Sequence, residues 1–268
     1  MRARLAHALG ARASGVPEGK PRARTVPAYT ASAAVYDRMV GRYAYEHWRE
    51  NFERLEKRHG FDISLAADVA CGTGLASRYL AERGADVCAF DLSPQMLAAA
   101  ARATRGLRVR LLRQDMRYLS PPHAVTAIIC ATDSLNYLLR EEDIRRALGS
   151  FYAALLPDGY VLFDLNTAWQ LREGADTEPW ELEIDGRRMR WRSRWDEDGL
   201  IATLEMIFPA SQADGDEVVE THRERAYAAG WVLDELAKAG FRSAEVFDAA
   251  GLGKAGERTR RLQFVARR

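Results

Sequence analysis

The sequence has little of what metal sites, disulfide scaffolds and membrane proteins require. Its 268 residues include only three cysteines, Cys71, Cys88 and Cys130, and no two of them are spaced as a metal-ligand pair. No cluster of histidines and carboxylates has the spacing of a metal site either. We therefore expect a cytoplasmic protein with reduced, buried cysteines and no bound metal.

An excess of charge of one sign is also missing, since 39 Lys and Arg are balanced by 38 Asp and Glu. A general nucleic-acid binder would need a concentrated basic face, so the composition favours a small-molecule partner. No apolar segment approaches the length of a membrane span. With 47% hydrophobic residues, the chain can bury a substantial core as a monomer or a homodimer.

One glycine-containing motif, Asp68-Val-Ala-Cys-Gly-Thr-Gly74, follows an apolar run at 63–70 and precedes a helical stretch. Gly72 and Gly74 let the backbone turn tightly and approach a ligand, and the N–H groups of the next helix point into the same space. A dinucleotide-binding turn would have a third glycine where this chain has Ser77, and its acidic residue would follow the glycines. The difference favours a ligand with a cationic end over a pyrophosphate.

Carboxylates follow four successive predicted strands. They are Asp68, Asp91, Asp115 and Asp133. In an open parallel sheet the carboxyl ends of the strands form one rim, and ligands bind there. The pattern predicts an α/β, Rossmann-like sheet with a ligand site at this rim, for which a nicotinamide-dependent dehydrogenase is the main rival function.

The four motifs resemble those of the class I methyltransferases that use S-adenosylmethionine (SAM). Residues 68–74 resemble the first motif of that family, 90–93 the second, 114–116 the third and 133–138 the fourth, in the same order and spacing. The likeness extends from about Tyr36 to the C-terminus. It is strongest to the bacterial small-molecule group that includes glycine N-methyltransferases and sugar N,N-dimethyltransferases.

The resemblance implies a mostly parallel sheet flanked by helices, with an antiparallel last strand, and SAM as the cofactor with S-adenosylhomocysteine as its product. Asp68 and the glycine loop would face the methionine part, Asp91 would bind the ribose hydroxyls, and Asp115 would bind the adenine amino group. The implied cofactor contacts are Tyr36, Asp68, Ala70, Cys71, Gly72, Gly74, Asp91, Leu92, Met96, Asp115, Met116 and Ala131.

Four regions are predicted along the chain. Residues 1–27 form a basic, disordered tail, although an Arg-rich start can also mimic a transit peptide, and 28–60 form lid helices. Residues 61–166 and 228–268 form the SAM-binding domain, and 167–227 form an antiparallel β insertion that covers the substrate. In the insertion, arginines alternate with Met189, Trp191 and Trp195. We expect the Trp face to pack inward, although interleaved Arg and Trp can also stack on RNA bases.

Two residues are candidates for catalysis, Asp133 and His222. Asp133 stands where glycine-type relatives have an amide that contacts substrate, and a carboxylate there favours an amine or hydroxyl over a carboxylate-bearing substrate such as glycine. His222 shares one face of a predicted strand with Glu220 and Glu224, and it could hold a proton at neutral pH. Further substrate contacts are expected from Tyr43, Asn136, Tyr137, Arg225 and Tyr227.

The predicted function is SAM-dependent transfer of a methyl group to a nitrogen or oxygen of a small molecule by in-line displacement. The protein would supply orientation, exclusion of water and, where required, a base. Two alternatives stay open at this point, an RNA methyltransferase and a SAM-binding module without catalysis.

Overall fold

A computed structural model of the chain describes residues 23–175, 178–209 and 216–268. Residues 1–22 of the predicted tail lie outside this part. Within it, no helix is both long enough and apolar enough to cross a membrane. The three cysteines are free and buried, as predicted.

A seven-stranded sheet forms the centre of the protein. Its strands, numbered in chain order together with those of the second sheet below, are β2 (Leu65–Val69), β3 (Asp86–Asp91), β4 (Val109–Arg113), β5 (Val125–Cys130), β6 (Leu155–Asn166), β11 (Ser243–Asp248) and β12 (Arg261–Arg267). They are arranged in the order β11-β12-β6-β5-β2-β3-β4. Strands β2 to β6 pair in parallel, whereas β12 is antiparallel to both neighbours. This confirms the predicted fold class.

Helices cover the two faces of this sheet and complete two apolar cores. They are α1 (Arg42–His59), α2 (Leu75–Glu82), α3 (Pro94–Ala103), α4 (Glu141–Ala154), α5 (Ala168–Glu173) and α6 (Ala229–Ala239). Side chains alternate across a strand, so in β5 Ile128 joins the core built with α4 and α6, whereas Ala127 and Ile129 join the core built with α1, α2 and α3. The rim of the sheet is thereby held between two rigid helical layers.

A second sheet of five strands corresponds to the predicted insertion. Its strands are β1 (Ala23–Val26), β7 (Trp180–Ile184), β8 (Arg187–Asp196), β9 (Ile201–Phe208) and β10 (Glu217–Arg225), in the order β1-β10-β9-β8-β7. The hairpins predicted from the alternating pattern are present as β8, β9 and β10, which pair antiparallel.

Strand β1 corrects the predicted boundary of the N-terminal tail. Residues 23–27 were assigned to a disordered segment on composition, but Ala23–Val26 pairs in parallel with β10, where Val26 lies opposite Glu220. An unpaired strand edge offers free N–H and C=O groups, and β10 provides such an edge to this segment. The basic composition therefore did not decide the structure here, because backbone pairing needs no particular side chains.

Much of the aromatic face of the second sheet packs inward, as expected, whereas Trp195 is only half-buried. Trp180 and Trp191 stack with ring centroids 4.7 Å apart, and Met39, Met189 and Met206 complete the same cluster. Trp191 is 2% exposed. Because these rings are buried against each other, they do not form an open surface on which nucleic-acid bases could stack.

Candidate active site

A cavity of about 1170 Å³ lies at the carboxyl ends of the strands of the central sheet. The strand order puts the segments that follow β4, β3, β2 and β5 side by side along this rim, in that sequence. Of the predicted cofactor contacts, the cavity is lined by Tyr36, Asp68, Ala70, Cys71, Gly72, Asp91, Leu92, Met96, Asp115, Met116 and Ala131. Three of the four predicted rim carboxylates, Asp68, Asp91 and Asp115, therefore meet at one cavity.

The glycine turn between β2 and α2 is built from residues with left-handed backbone. Ala70, Gly72 and Gly74 have φ values of 55°, 55° and 83°. No atom lies within 4 Å of the position that a Cβ would take at Gly72, so the space beside this residue is open to a ligand. Gly74 is not among the lining residues; a Cβ there would stand 3.1 Å from the Ala100 side chain, so Gly74 is needed for close packing against α3.

Asp91 holds the turn and presents its carboxylate to the cavity. It accepts the backbone N–H of Gly72 at 2.9 Å and that of Ser93 at 2.8 Å. Ser93 also caps α3, since its side chain accepts the N–H of Met96. The neighbouring Leu92 is 60% exposed and lines the cavity, an apolar surface of the kind that an adenine ring would cover.

Asp68 brings a buried carboxylate to the cavity. Its side chain is buried and accepts a 2.5 Å hydrogen bond from the Ser77 hydroxyl. Burial raises the pKa of this carboxyl to about 7, although the Ser77 hydrogen bond opposes the shift. No ion pair involves Asp68 in the part of the chain that the structure describes. A buried carboxylate without a counter-charge is suited to a ligand that brings a positive charge.

The Asp115 carboxylate is already paired. Arg117 contacts both of its oxygens, at 2.6 Å in the closest approach, and also bonds Asp143 at 3.1 Å. The guanidinium lowers the pKa of Asp115, although burial opposes it. Arg117 was missed by the sequence analysis, and its position two residues after Asp115 was the only available signal. An adenine amino group would share Asp115 with this arginine.

The N-terminal segment forms one wall of the cavity. Residues 24–30 line it, as do Tyr45 and Trp48 of α1. The aromatic residues of α1 recur at three- and four-residue steps, as in a helix that faces a core, and Trp48 also packs against a core cluster. A stripe that faces the core and a cavity at once has the same period, so the sequence could not separate the two roles.

Asp133 belongs to a network of charges in the segment after β5. Its carboxylate lies 2.8 Å from the Arg261 guanidinium and accepts the Asn166 side chain at 2.8 Å. Arg261 also pairs with Asp164, which accepts the backbone N–H groups of Thr132 and Asp133. Asp133 is not among the residues lining the cavity. Arg261 is shared by Asp133 and Asp164, so it offsets only part of the negative charge that underlies the predicted repulsion of a carboxylate-bearing substrate.

Glu224 completes this network and shares its environment with Asp133. The Asn166 side-chain amide donates to Glu224 at 2.9 Å and to Asp133 at 2.8 Å, so it bridges the two carboxyls. Burial, reinforced by the Asp133 charge, raises the pKa of Glu224 to about 8. Glu224 therefore carries a proton at neutral pH.

The raised pKa of Glu224 predicts that its contribution to stability decreases as pH rises. In the unfolded chain Glu224 loses its proton near its ordinary pKa of 4.5, whereas in the folded protein it keeps the proton up to about pH 8. The contribution of Glu224 to stability therefore falls between about pH 4.5 and about pH 8. We expect the wild type to lose more thermal stability than Glu224→Gln when pH is raised from about 5.5 to about 8.5, as measured by calorimetry. Equal losses in the two proteins would contradict this assignment.

His222 stands in a line of four hydrogen-bonded side chains. The Tyr29 hydroxyl donates to Tyr137 at 2.6 Å, the Tyr137 hydroxyl lies 2.8 Å from His222 Nδ1, and His222 Nε2 lies 2.7 Å from Glu220 Oε1. Tyr29 and Tyr137 line the cavity, whereas His222 and Glu220 lie behind them. The predicted proximity of His222 and Glu220 is confirmed; Tyr29 was not predicted.

Glu220 also holds the N-terminal segment. Its Oε2 accepts the backbone N–H groups of Thr30, Ala31 and Ser32 at 2.9, 2.7 and 3.1 Å, and Oε1 accepts the Ser32 hydroxyl at 2.5 Å. Burial alone would raise the pKa of Glu220, but the hydrogen bonds from His222 and Ser32 outweigh it and lower the pKa to about 2. A fully buried carboxylate is thus kept ionised by donors from two distant segments.

Three predicted substrate contacts have structural roles instead. The Asn136 amide donates to the carbonyls of Asn166 and Arg225 and accepts the Asn166 N–H, which uses its hydrogen-bonding capacity. Arg225 donates to Leu139 O, and Tyr227 donates to the carbonyl of Leu138. None of the three lines the cavity. They tie β10 to the loop after β5, and the sequence could not distinguish this from substrate binding.

Two predicted substrate contacts remain, Tyr137 and Tyr43. Tyr137 lines the cavity, as does Ser134, whose hydroxyl donates to Ala131 O. The side chain of Tyr43 lies outside the described residues, so its predicted substrate contact stays a prediction. Among the side chains that the structure describes, no group of three or more His, Cys, Asp or Glu could hold a metal ion.

Comparison with known families identifies the central domain. Residues 66–159 match the family model described as a methyltransferase domain. These residues span β2 to the beginning of β6, and they include the glycine turn and all four rim carboxylates.

Curated relatives carry the same designation. The chain is 29% identical over 216 residues to YqeM of Bacillus subtilis, which is named as a methyltransferase without a stated substrate. The aligned region covers 80% of this chain and 86% of that protein. It is 42% identical to the glycine/sarcosine N-methyltransferase of Parasynechococcus marenigrum, over 46% of this chain and 45% of that protein. It is 34% identical to dTDP-3-amino-3,6-dideoxy-alpha-D-glucopyranose N,N-dimethyltransferase of Streptomyces fradiae, over 49% of this chain and 52% of that protein. The chain thus spans about half the length of the two relatives whose substrate is named.

A solved structure extends the likeness to the whole fold. An S-adenosylmethionine-dependent methyltransferase from Clostridium acetobutylicum superimposes with a TM-score of 0.78 at 23% identity, covering 89% of this chain and 98% of that one. Residues 66–159 are thus a methyltransferase domain, and the fold of the chain is that of the class I SAM-dependent methyltransferases.

Proposed function

We propose that this protein transfers the methyl group of SAM to a nitrogen or an oxygen of a small molecule. The observation that carries the proposal is the continuity of the cavity, which runs from the rim carboxylates Asp91 and Asp115 to the polar side chains Tyr29, Tyr36 and Tyr137. The first group suits the cofactor, and the second group offers hydrogen bonds to an acceptor molecule beside it.

The residues along the rim have distinct roles toward the cofactor. Asp91 would hold the ribose hydroxyls, Leu92 and Met116 would pack on the adenine, and Asp68 would face the charged methionine end. When bound, SAM supplies a methyl group on a positively charged sulfur, which is already electrophilic. The protein therefore needs to orient the acceptor and exclude water from the site.

The N-terminal segment and the second sheet would provide that exclusion. Residues 24–30 form a wall of the cavity, and Glu220 of β10 fixes the neighbouring residues 30–32 through their backbone N–H groups. We propose that the insertion covers the acceptor site, with Asp133 and His222 as the residues that act on the acceptor's proton. We also place the protein in the cytoplasm, where free, buried cysteines stay reduced.

The named relatives support nitrogen as the methylated atom. The S. fradiae protein is named for an amino sugar and the P. marenigrum protein for glycine and sarcosine, all of which are amines. The proposal of an RNA substrate has less support, because Trp180 and Trp191 of the second sheet are buried against each other.

The cofactor assignment predicts a sharp effect of Asp91→Ala. The substitution removes a carboxylate that would accept two ribose hydroxyls, so SAM affinity should fall by about 10- to 100-fold, the loss expected for charge-assisted hydrogen bonds. Titration calorimetry with SAM and with S-adenosylhomocysteine measures it. Asp86→Ala is the matched control, because Asp86 begins the same strand and is exposed at its opposite end.

An acceptor screen would follow the binding measurement. Amino sugars, amino acids and small hydroxylated compounds are offered with SAM, and release of S-adenosylhomocysteine is recorded. Turnover with one of these classes would identify the acceptor. SAM binding without turnover on any acceptor would favour a binding module, and a folded wild type that does not bind SAM would refute the proposal.

A further inference from the structure

The line of hydrogen bonds from Tyr29 to Glu220 has a defined direction. Glu220 is ionised, and a carboxylate can only accept, so His222 Nε2 must carry the hydrogen of the 2.7 Å bond between them. In a neutral imidazole the other nitrogen, Nδ1, is then an acceptor. When the ring is neutral, the Tyr137 hydroxyl therefore donates to Nδ1 across their 2.8 Å separation.

The same direction continues to the cavity. Because the Tyr137 hydrogen is engaged by His222, the Tyr137 oxygen is the acceptor for the Tyr29 hydroxyl at 2.6 Å. Tyr29 lines the cavity, and its hydroxyl oxygen keeps a lone pair. An N–H or O–H group of the methyl-accepting molecule could donate to this oxygen. That would add one further hydrogen bond that runs in the same direction.

The surroundings of Tyr29 hold it in an unusual backbone conformation. Its φ of 62° is unusual for a residue with a side chain, and such conformations persist where the surroundings impose them. Its ring packs edge-on against His222, with centroids 4.9 Å apart, and against Tyr36 at 5.8 Å. Glu220 fixes the next three residues, so one carboxylate sets both ends of the line.

We propose that this line is a proton path from the cavity to His222, entered at the Tyr29 hydroxyl, with Glu220 as the residue that orients the His222 ring. The inference rests on the proposed methyl transfer and assigns the route by which the acceptor loses its proton. Tyr29 contacts the acceptor, whereas Tyr137 relays the proton and Glu220 acts through His222.

The proton balance is complete. As the acceptor's lone pair forms the new bond to carbon, its proton moves to the Tyr29 oxygen, the Tyr29 proton moves to Tyr137, and the Tyr137 proton moves to His222 Nδ1. The resulting imidazolium pairs with the Glu220 carboxylate and later returns the proton to solvent by the reverse route. Burial raises the pKa of both phenols well above the usual value, so they pass a proton on without becoming ionised at rest.

Other charges near the line shape its pH dependence. The titratable groups around His222, Tyr29 and Tyr137 are Tyr36, Asp133, Glu220 and Glu224. Asp133 is paired with Arg261, and Glu224 holds a proton at neutral pH. Glu220 is the carboxylate in direct contact with the imidazole among them, so it is the one that stabilises the charged ring.

The first test reads the tautomer of His222 in the unliganded protein by nitrogen NMR at about pH 9, where an ordinary imidazole is neutral. The chain has five histidines, and the spectrum of His222→Asn identifies the signals of this one. We expect the hydrogen on Nε2 in the wild type and in Tyr29→Phe. A wild-type hydrogen on Nδ1 would overturn the proposal without reference to activity.

Glu220→Gln should reverse the direction of the line. Three backbone N–H groups require an acceptor, so the amide oxygen would face them and the amide NH₂ would face His222 Nε2. The imidazole hydrogen would then move to Nδ1, and Tyr137 could no longer donate to it. An unchanged tautomer in this variant would show that Glu220 does not orient the ring.

The second test measures turnover with an acceptor from the screen. Tyr29→Phe keeps the ring and removes the hydroxyl, so kcat should fall by about 100-fold, a typical loss for a missing proton-transfer group, while the Kd for SAM changes less than about threefold. Tyr152→Phe is the matched control, since Tyr152 packs against Phe241, outside the cavity. Weaker SAM binding with an unchanged kcat would overturn the proposal and assign Tyr29 to the cofactor.

Failure of the proposed function would be recognised separately. In that case neither the wild type nor Tyr152→Phe would release S-adenosylhomocysteine with any acceptor. Failure of the path alone would leave turnover of Tyr29→Phe equal to that of the wild type.

Discussion

Glu220→Ala is expected to lower the free energy of unfolding by about 3–5 kcal/mol, because several buried donors would lose their acceptor at about 1–3 kcal/mol for each unsatisfied group. The Glu220 side chain is fully buried, and it accepts hydrogen bonds from His222, from the Ser32 hydroxyl and from three backbone N–H groups. Without it, those donors lie buried with no acceptor, and each unsatisfied group adds its own cost. Urea unfolding followed by circular dichroism measures the change.

Glu183→Ala is the control for this prediction, because Glu183 is an exposed glutamate on β7 of the same sheet. It should change the free energy of unfolding by less than about 0.5 kcal/mol, as surface substitutions usually do. A loss below about 1 kcal/mol in Glu220→Ala would mean that water replaces the carboxylate and that the segment is held by β1 alone.

Arg261→Met is expected to lower the free energy of unfolding by about 3 kcal/mol near neutral pH, toward the low end of the range for buried pairs because the arginine is partly exposed. Arg261 pairs with Asp133 and Asp164, whose side chains are only 14% and 7% exposed. Burial raises the pKa of Asp164 even with the arginine present, although Arg261 opposes the shift. Without Arg261 this pKa would rise further.

The loss in Arg261→Met should therefore depend on pH. Protonation relieves the uncompensated carboxyls at low pH, so the variant should lie closer to the wild type at about pH 5 than at about pH 8. Chemical unfolding at both values measures this. Arg260→Met serves as control, since Arg260 pairs with Glu173 at an exposed position. A loss independent of pH would indicate that Arg261 stabilises through packing of its stem rather than through its charge.

The cofactor rim was predictable because each of its residues is fixed by a local pattern. Asp68, Asp91 and Asp115 lie at or just beyond the carboxyl ends of their strands, and the shared direction of parallel strands brings such positions together. Neither the identity of neighbouring strands nor any distant contact was needed. The left-handed turn at Gly72 is local in the same sense.

The acceptor side could not be predicted, because its residues meet only in three dimensions. Glu220 binds Ser32 across a separation of 188 residues, and Arg261 meets Asp164 across 97. No periodicity links such positions in one sequence. The sequence singled out His222 from its neighbours Glu220 and Glu224, but it gave no sign that Tyr29 and Tyr137 complete the line on the cavity side.

Asn136, Arg225 and Tyr227 show the converse limitation. Polar residues beside a predicted site are natural candidates for binding substrate, yet here they satisfy backbone carbonyls where β10 crosses the loop after β5. A buried carbonyl needs a donor whether or not a ligand is near. Residue type and position are the same for both roles, so only the coordinates separate them.

The attachment of β1 to the edge of β10 bears on how quickly a ligand can leave. Residues 24–30 wall the cavity, and they are anchored by backbone pairing on one side and by the bond from Ser93 to the Tyr29 carbonyl on the other. A molecule that exits past this wall must wait until the anchors open together. Its residence time would then follow the local opening rate of the segment rather than the strength of its own contacts.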